Sequence, residues 1–202
     1  MNRQKFLKSL PALSGWRETA FLLALAERAL PNLQLYLENA YEQDAQAWSD
    51  LMSRSWKDLI ERPSEDGIVE LLDAVTAPLE SLEQDENYGA IPSLDCLWLW
   101  EQALLSELNR EVKRASEASQ RSLETVTGFI EFSEGQDVDE QALIKLFDRH
   151  PLTEREFSFQ AELADSLRGA TRAQDAVIRA VRELACDEGV SNIGISLDDA
   201  SD

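Results

Sequence analysis

The side chains that do chemistry in enzymes are sparse in this chain, and their spacing excludes most of what they could do. Its one histidine, His150, is followed by Pro151 and preceded at the third position by Phe147. It therefore forms neither the Glu-x-x-His pair of a di-iron bundle nor a His-Glu-x-x-His zinc helix. Serine nucleophile chemistry would have to run through the same imidazole, and there is no G-x-S-x-G elbow to expose a serine. The expected place of His150 is a helix end, with its imidazole against the last carbonyls. Cys96 and Cys186 stand ninety residues apart without a C-x-x-C, so they read as reduced core thiols in a reducing compartment. The eight glycines are too scattered for a P-loop or a G-x-G-x-x-G turn, so no phosphate cradle is visible. Among thirty-nine acids, a glycosidase-type carboxylate pair is indistinguishable from a solvated face. No catalytic residue, metal ligand or cofactor is assigned on these grounds, and the reading leans away from an enzyme.

The acids are informative through their distribution. From Pro63 to Asn109 there are eleven acidic side chains and no Lys or Arg, whereas the first sixty-two residues hold eight of each. The formal net charge is −20. Such a surface repels phosphate and anionic lipid and attracts basic protein surfaces. Neither nucleic acid nor a membrane is an expected partner. An acidic imitation of nucleic acid would follow from the charge alone, although solubility or a salty habitat explains the acidity more simply.

The elements that must position these residues are helical. At 202 residues and 44% hydrophobic content the chain can close one core without disulfides or metal, so a single domain over residues 1–202 is expected. Arg3, Lys5 and Lys8 precede an apolar run from Ala20 to Ala26 that ends in an A-x-A triplet, but Glu18 and the shortness of the run argue against a signal peptide. No stretch reaches the ~20 apolar residues of a spanning helix, so a soluble, cytoplasmic protein is expected.

Hydrophobic spacing predicts an all-α bundle of about seven to eight helices with a short extended tail at about 190–202. A first helix is predicted from a Ser14 cap to about Ala29, with Pro31 opening a short second one. Asp44 can cap a third, carrying Trp48, Met52, Trp56 and Leu59. The acidic segment opens with a helix striped by Ile68, Leu71, Leu72, Val75, Leu79 and Leu82, which Pro78 kinks or ends. A helix from about Ser93 to Leu108 is apolar all round, like Ala20–Ala26, and both should be central. From Glu111 to Glu134 the inner face is small, with Val112, Ala115, Ser116, Ser119, Ser122, Val126, Phe129 and Ser133. A short helix over Asp139–Asp148 ends at His150-Pro151. A Thr153-x-x-Glu156 capping box then opens a stretch that runs to Cys186 and stops at Gly189, with Gly169 as its weak point.

Three stretches together resemble the YjaG-like bacterial family of uncharacterised proteins (domain of unknown function 416). They are Trp16 through Glu27-Arg28-Ala29-Leu30-Pro31-Asn32, then Tyr88-Gly89-Ala90-Ile91-Pro92-Ser93-Leu94-Asp95-Cys96, and the tail Ser191-Asn192-Ile193-Gly194-Ile195. Ser119, Ser122, Thr125 and Val126 also fit. The resemblance implies a compact, all-helical cytoplasmic domain and carries no reaction or catalytic residues with it. His150 and the acidity of residues 63–109 lie outside it. Its polar residues, Glu27, Arg28, Asn32, Tyr88 and Asp95, form a candidate cluster. Glu27, Arg28 and Asp95 adjoin the two all-apolar helices, so they should be desolvated and must find partners. The expectation is that Arg28 or Asn32 reaches Asp95 or Tyr88.

Two further groups are candidates for an interface. Trp98 and Trp100 are about 200° apart on a helix, so they face different neighbours, and with Trp48 they are the rings expected near any homodimer contact. Arg168, Arg172, Arg179 and Arg182 fall within about 80° on a continuous helical wheel, a basic ridge that could approach the acids of Glu65–Glu107 within one chain or across a dimer. The leading functional expectation is a non-enzymatic protein that self-associates or binds another protein. The alternative is an enzyme or small-ligand binder built on the five-residue polar cluster.

Overall fold

Two segments that are apolar on every face become the centre of the molecule. The computed structural model describes residues 3–62, 64–136 and 138–197. In it, helix α2 (Trp16–Tyr41) lies along α6 (Ala90–Leu108), and the remaining elements pack around this pair. These are α1 (Arg3–Leu7), α3 (Ala45–Glu61), α4 (Glu65–Thr76), α5 (Leu79–Glu83), α7 (Ala115–Glu134), α8 (Glu140–Arg149), α9 (Pro151–Gly169) and α10 (Asp175–Cys186). Helices α1 and α5 are single turns of five residues, so the expected seven to eight corresponds to the longer helices. Among the described residues the only β pairing is an isolated bridge between Val190 and Ser196. The fold is all-α.

The break expected between Ala29 and Pro31 is absent: α2 runs through Pro31 as one helix of 26 residues. An interior proline costs ~3 kcal/mol of helix. Every residue from Glu18 to Gln34 is buried, so continuous packing on all faces outweighs that local cost. The cap is Gly15 rather than Ser14.

Helix α7 starts at Ala115, not Glu111, which leaves Val112 outside it and exposed. The reason lies in another helix. Glu18 Oε1 accepts the backbone N–H groups of Arg114 at 2.7 Å and Ala115 at 3.3 Å, a carboxylate from α2 satisfying donors that open α7. The expected small inner face holds at Ala115, Ser119, Ser122 and Val126.

His150 ends α8, but its imidazole does not meet the last carbonyls. It caps the next helix, its Nδ1 accepting the N–H of Leu152 at 3.2 Å while Nε2 lies 3.2 Å from Glu134. With Pro151 at the first helical position, where no donor is needed, the helix begins two residues before Thr153. The predicted Thr153/Glu156 capping box is therefore not formed, and both side chains are buried within the first turns. Asp44 caps α3 as expected, accepting from Gln46 N. The split at Gly169 is real, since residues 170–174 separate α9 from α10.

The tail docks. Asn192 N donates to Arg28 O at 3.1 Å, and Ile193 joins Val126 and Ile130 in a small second core. Residues 198–202 of the expected tail lie outside the described residues.

Candidate functional site

Glu27, Arg28 and Asn32 occupy neighbouring positions of α2, and all three are buried, as is Asp95 on α6. Desolvated charge must be answered, and Glu27, Arg28 and Asp95 are answered, though not by the expected partners, while Asn32 pairs through Nδ2 and leaves its buried Oδ1 without a hydrogen bond. Arg28 donates from Nε to Glu156 Oε2 at 2.9 Å and from Nη1 to Asp187 Oδ2 at 3.0 Å, with its guanidinium 4.4 Å from the centre of the Phe159 ring. Asn32 Nδ2 donates to Asn192 Oδ1 at 2.9 Å. Asp95 accepts from Thr125 at 2.7 Å and Arg121 at 3.2 Å, and Tyr88 stacks on Phe132 at 3.8 Å. The expected meeting of Arg28 or Asn32 with Asp95 or Tyr88 gives way to two separate groups. Arg28 and Asn32, one helical turn apart, share a face that looks onto α9 and the tail, whereas Asp95 and Tyr88 belong to the α6–α7 side.

Residues outside the five-residue candidate cluster complete the first group. Glu156, with no exposed surface, also accepts from Ser122 at 2.7 Å and Gln160 at 2.8 Å, and Ser119 bonds Gln160 at 2.5 Å. Asp187, in a left-handed conformation, is gripped by both Arg28 and Arg155. Burial works against its ionisation, but the two guanidinium groups hold its carboxyl below the usual range. The network ties α2, α7, α9 and the chain after α10 together, and its central carboxylate is closed to solvent. Chemically it is a set of satisfied buried charges.

Glu27 turns elsewhere. It accepts from Trp56 Nε1 at 2.5 Å and from Arg182 at 3.3 Å, and the Cys186 thiol lies 3.3 Å away. It lines a pocket of about 230 Å³ whose other walls include Pro31, Gln34, Ser49 and Cys186; Arg28, Asn32, Tyr88 and Asp95 are not among them. Burial, reinforced by Glu27, pushes the Cys186 thiol up to about 12, and burial raises Cys96 as well, so neither supplies a thiolate near neutral pH.

Trp98 and Trp100 diverge as their spacing requires. Trp100 is fully buried, donates to Ser55 at 2.8 Å and meets Trp48 edge-on at 6.4 Å, while Trp98 is half-buried under the Arg121 guanidinium. The arginine ridge does not exist as one helical face, because the break after Gly169 separates Arg168 on α9 and Arg172 in the loop from Arg179 and Arg182 on α10. Three of its four arginines pair with acids outside the acidic segment. Arg168 bonds Asp165 at 2.8 Å, Arg179 bonds Asp175 at 2.7 Å and Arg182 reaches Glu27. Arg172 shares a cleft with Glu107, whose carboxylate is held by Arg110 at 2.7 Å and by Thr19 at 2.6 Å.

The acidic segment thus keeps most of its charge exposed. Glu65, Asp66, Glu70, Asp73, Glu80, Glu83 and Glu86 all face solvent, with Arg54 3.5 Å from Glu70. Beside them α2, α3, α4 and α5 enclose a groove of about 400 Å³. Its buried floor is Leu37, Trp48, Pro78 and Leu82, and its exposed lip includes Asp44, Ala47, Ala77 and Ser81. Tyr41 lines one end, its hydroxyl donating to Asp85 at 2.8 Å, and Tyr36 donates to the same carboxylate at 2.6 Å. Those hydrogen bonds, that from Tyr36 first, hold Asp85 well below the usual carboxylate range, while burial pushes Tyr36 up to about 12. Among the described residues, no group of three or more His, Cys, Asp or Glu could hold a metal ion. No helix of these residues is long and apolar enough to cross a membrane.

Comparison with known proteins agrees with this architecture and adds no activity. The chain is similar over 187 residues to the uncharacterized protein YjaG of Escherichia coli, at 24% identity covering 92% of this chain and 93% of that protein. An uncharacterized protein of Haemophilus influenzae is 24% identical over 195 residues, 96% of this chain and 97% of its own length. The crystal structure of a DUF416 family protein from Shewanella baltica superposes with a TM-score of 0.81 at 26% identity, covering 95% of this chain and 98% of that one. The family model described as protein of unknown function (DUF416) matches residues 5–196. With the helical pair, the docked tail and the polar network all inside that span, the chain belongs to the DUF416 family, whose function is unknown.

Proposed function

We propose that this protein is a non-enzymatic binding module, and that it recognises a basic surface of another protein through the acidic face of α4 and α5. The observation that carries the reading is the row of exposed carboxylates from Glu65 to Glu86 in a stretch without a single Lys or Arg. Clustered charge of one sign speeds and selects encounters with the opposite sign. The same field, at a net charge of −20, opposes pairing with a second copy, so a heterologous partner is favoured over a homodimer. The polar cluster supports the reading from the other side, since its five residues are spent on separate internal contacts instead of converging on one pocket. Two free cysteines suit a reducing, cytoplasmic setting.

The test is binding of a lysine- and serine-containing peptide to the parent chain and to a variant with Glu65, Glu70, Asp73, Glu80 and Glu83 changed to Gln or Asn. The parent should bind at low salt, lose affinity as salt rises, and exceed the variant by about tenfold or more. Equal binding by both proteins, or none by the parent at low salt, would overturn the proposal.

A further inference from the structure

The groove beside this face carries more information than its charge. Its walls come from two stretches of the chain, residues 37–51 and 74–82, and both lie inside longer runs with no Lys or Arg: 29–53 and 63–109. Six exposed carboxylates, Glu42, Asp44, Asp50, Asp73, Glu80 and Glu83, belong to these wall segments or adjoin them, while the floor is apolar and closed by the Trp48 indole. An apolar trough with an anionic margin and no cation of its own matches a ligand with an apolar stripe flanked by lysine or arginine.

Resting on the basic-partner reading above, we infer that the groove between α2, α3, α4 and α5 receives one amphipathic basic helix of a partner protein. Helical form follows from what the walls offer. Apart from Gln43, Asp44, Ala77 and Pro78 at the helix junctions, they are side chains projecting from helices whose backbone groups bond within their own helices, so the groove presents no strand edge to an extended peptide. A helix brings its own backbone bonds satisfied. It needs from the groove only a floor for side chains at i, i+3 or i+4, and i+7, which Trp48, Leu37, Pro78 and Leu82 supply. The small residues Ala47, Ala74 and Ala77 leave room at the lip for its backbone. Lysine stems lying along that lip would carry their ammonium groups out to the surrounding carboxylates.

The experiment uses two peptides of equal length and charge, one a leucine–lysine amphipathic helix and one with every leucine replaced by serine. Each is titrated into the parent chain, into Ala77→Lys at the exposed lip and into Gln141→Lys, the same charge change on the exposed surface of α8. The leucine peptide should bind the parent about tenfold or more tighter than the serine peptide. It should lose about tenfold in Ala77→Lys and less than about twofold in Gln141→Lys. Equal, salt-sensitive binding of the two peptides would overturn the groove and leave the charged face standing, as would equal losses in the two variants. Binding of neither peptide at low salt would remove both.

Discussion

Glu156 shows what a buried charge demands of its neighbours. Its carboxylate is taken by Arg28, Ser122 and Gln160, and none of it reaches solvent. Truncating one partner of such a pair leaves the other charge unanswered, a loss of ~3–5 kcal/mol. Glu156→Ala should lower the unfolding free energy by about that much in urea denaturation, with the helical fold retained where it is still stable. Asp187 makes a prediction of opposite visibility, because it sits at the margin of the network. Its folded-state ionisation lies below the unfolded value of ~3.9, so its contribution is present above that pH and is lost as pH falls towards the folded value. The stability advantage of the parent over Asp187→Asn should therefore be constant above about pH 5 and shrink below about pH 4. Urea curves across that range would show it, and a difference that grew on acidification would contradict the role given to Arg28 and Arg155.

At the level of elements, one helix decides where another begins. Glu18 serves the N-terminal turn of its own helix by position and that of α7 by hydrogen bonds, and Lys113 sits 3.2 Å from its second oxygen. Glu18→Ala should cost ~2 kcal/mol, the upper range for loss of a cap, read as a shift in the urea midpoint. Such a cap could not be read from spacing, because cap and helix are ninety-six positions apart. What the sequence did expose were periodicities and breakers: the two all-apolar helices, the Asp44 cap, the interruption at Pro78 and the split after Gly169. What it hid were choices decided by tertiary contact. Pro31 looked like a helix start because its local chemistry says so, and burial along α2 overruled it. Glu156 looked like a capping residue because it follows Thr153 at the right interval, while its true partner, Arg28, comes from the far end of the sequence. Position beside the two all-apolar helices accounts for the burial of Glu27, Arg28 and Asp95, but pairing needs direction as well as position, and helical phase sends Arg28 and Asp95 to different neighbours.

For the molecule as a whole, a charge of −20 on 202 residues is a standing self-repulsion. Raising ionic strength from about 0.01 to about 0.15 M shortens the screening length from about 30 to about 8 Å, so the melting temperature should rise across that range. A flat or falling melting temperature by calorimetry would mean that exposed ion pairs such as Arg168–Asp165 and Arg179–Asp175, which salt screens, dominate the response over the global field. The docked tail has a consequence of another kind, for the order of events during synthesis. Arg28 is made early, yet its carbonyl waits for Asn192 and its guanidinium for Glu156 and Asp187. Until residue 192 has left the ribosome, the set of partners that surrounds Arg28 on the central helix is incomplete. Translation proceeds at about 5–20 residues per second. For that interval the nascent chain lacks the contacts that the segment after α10 makes with Arg28, so the closing of the tail comes last, over a core assembled before it.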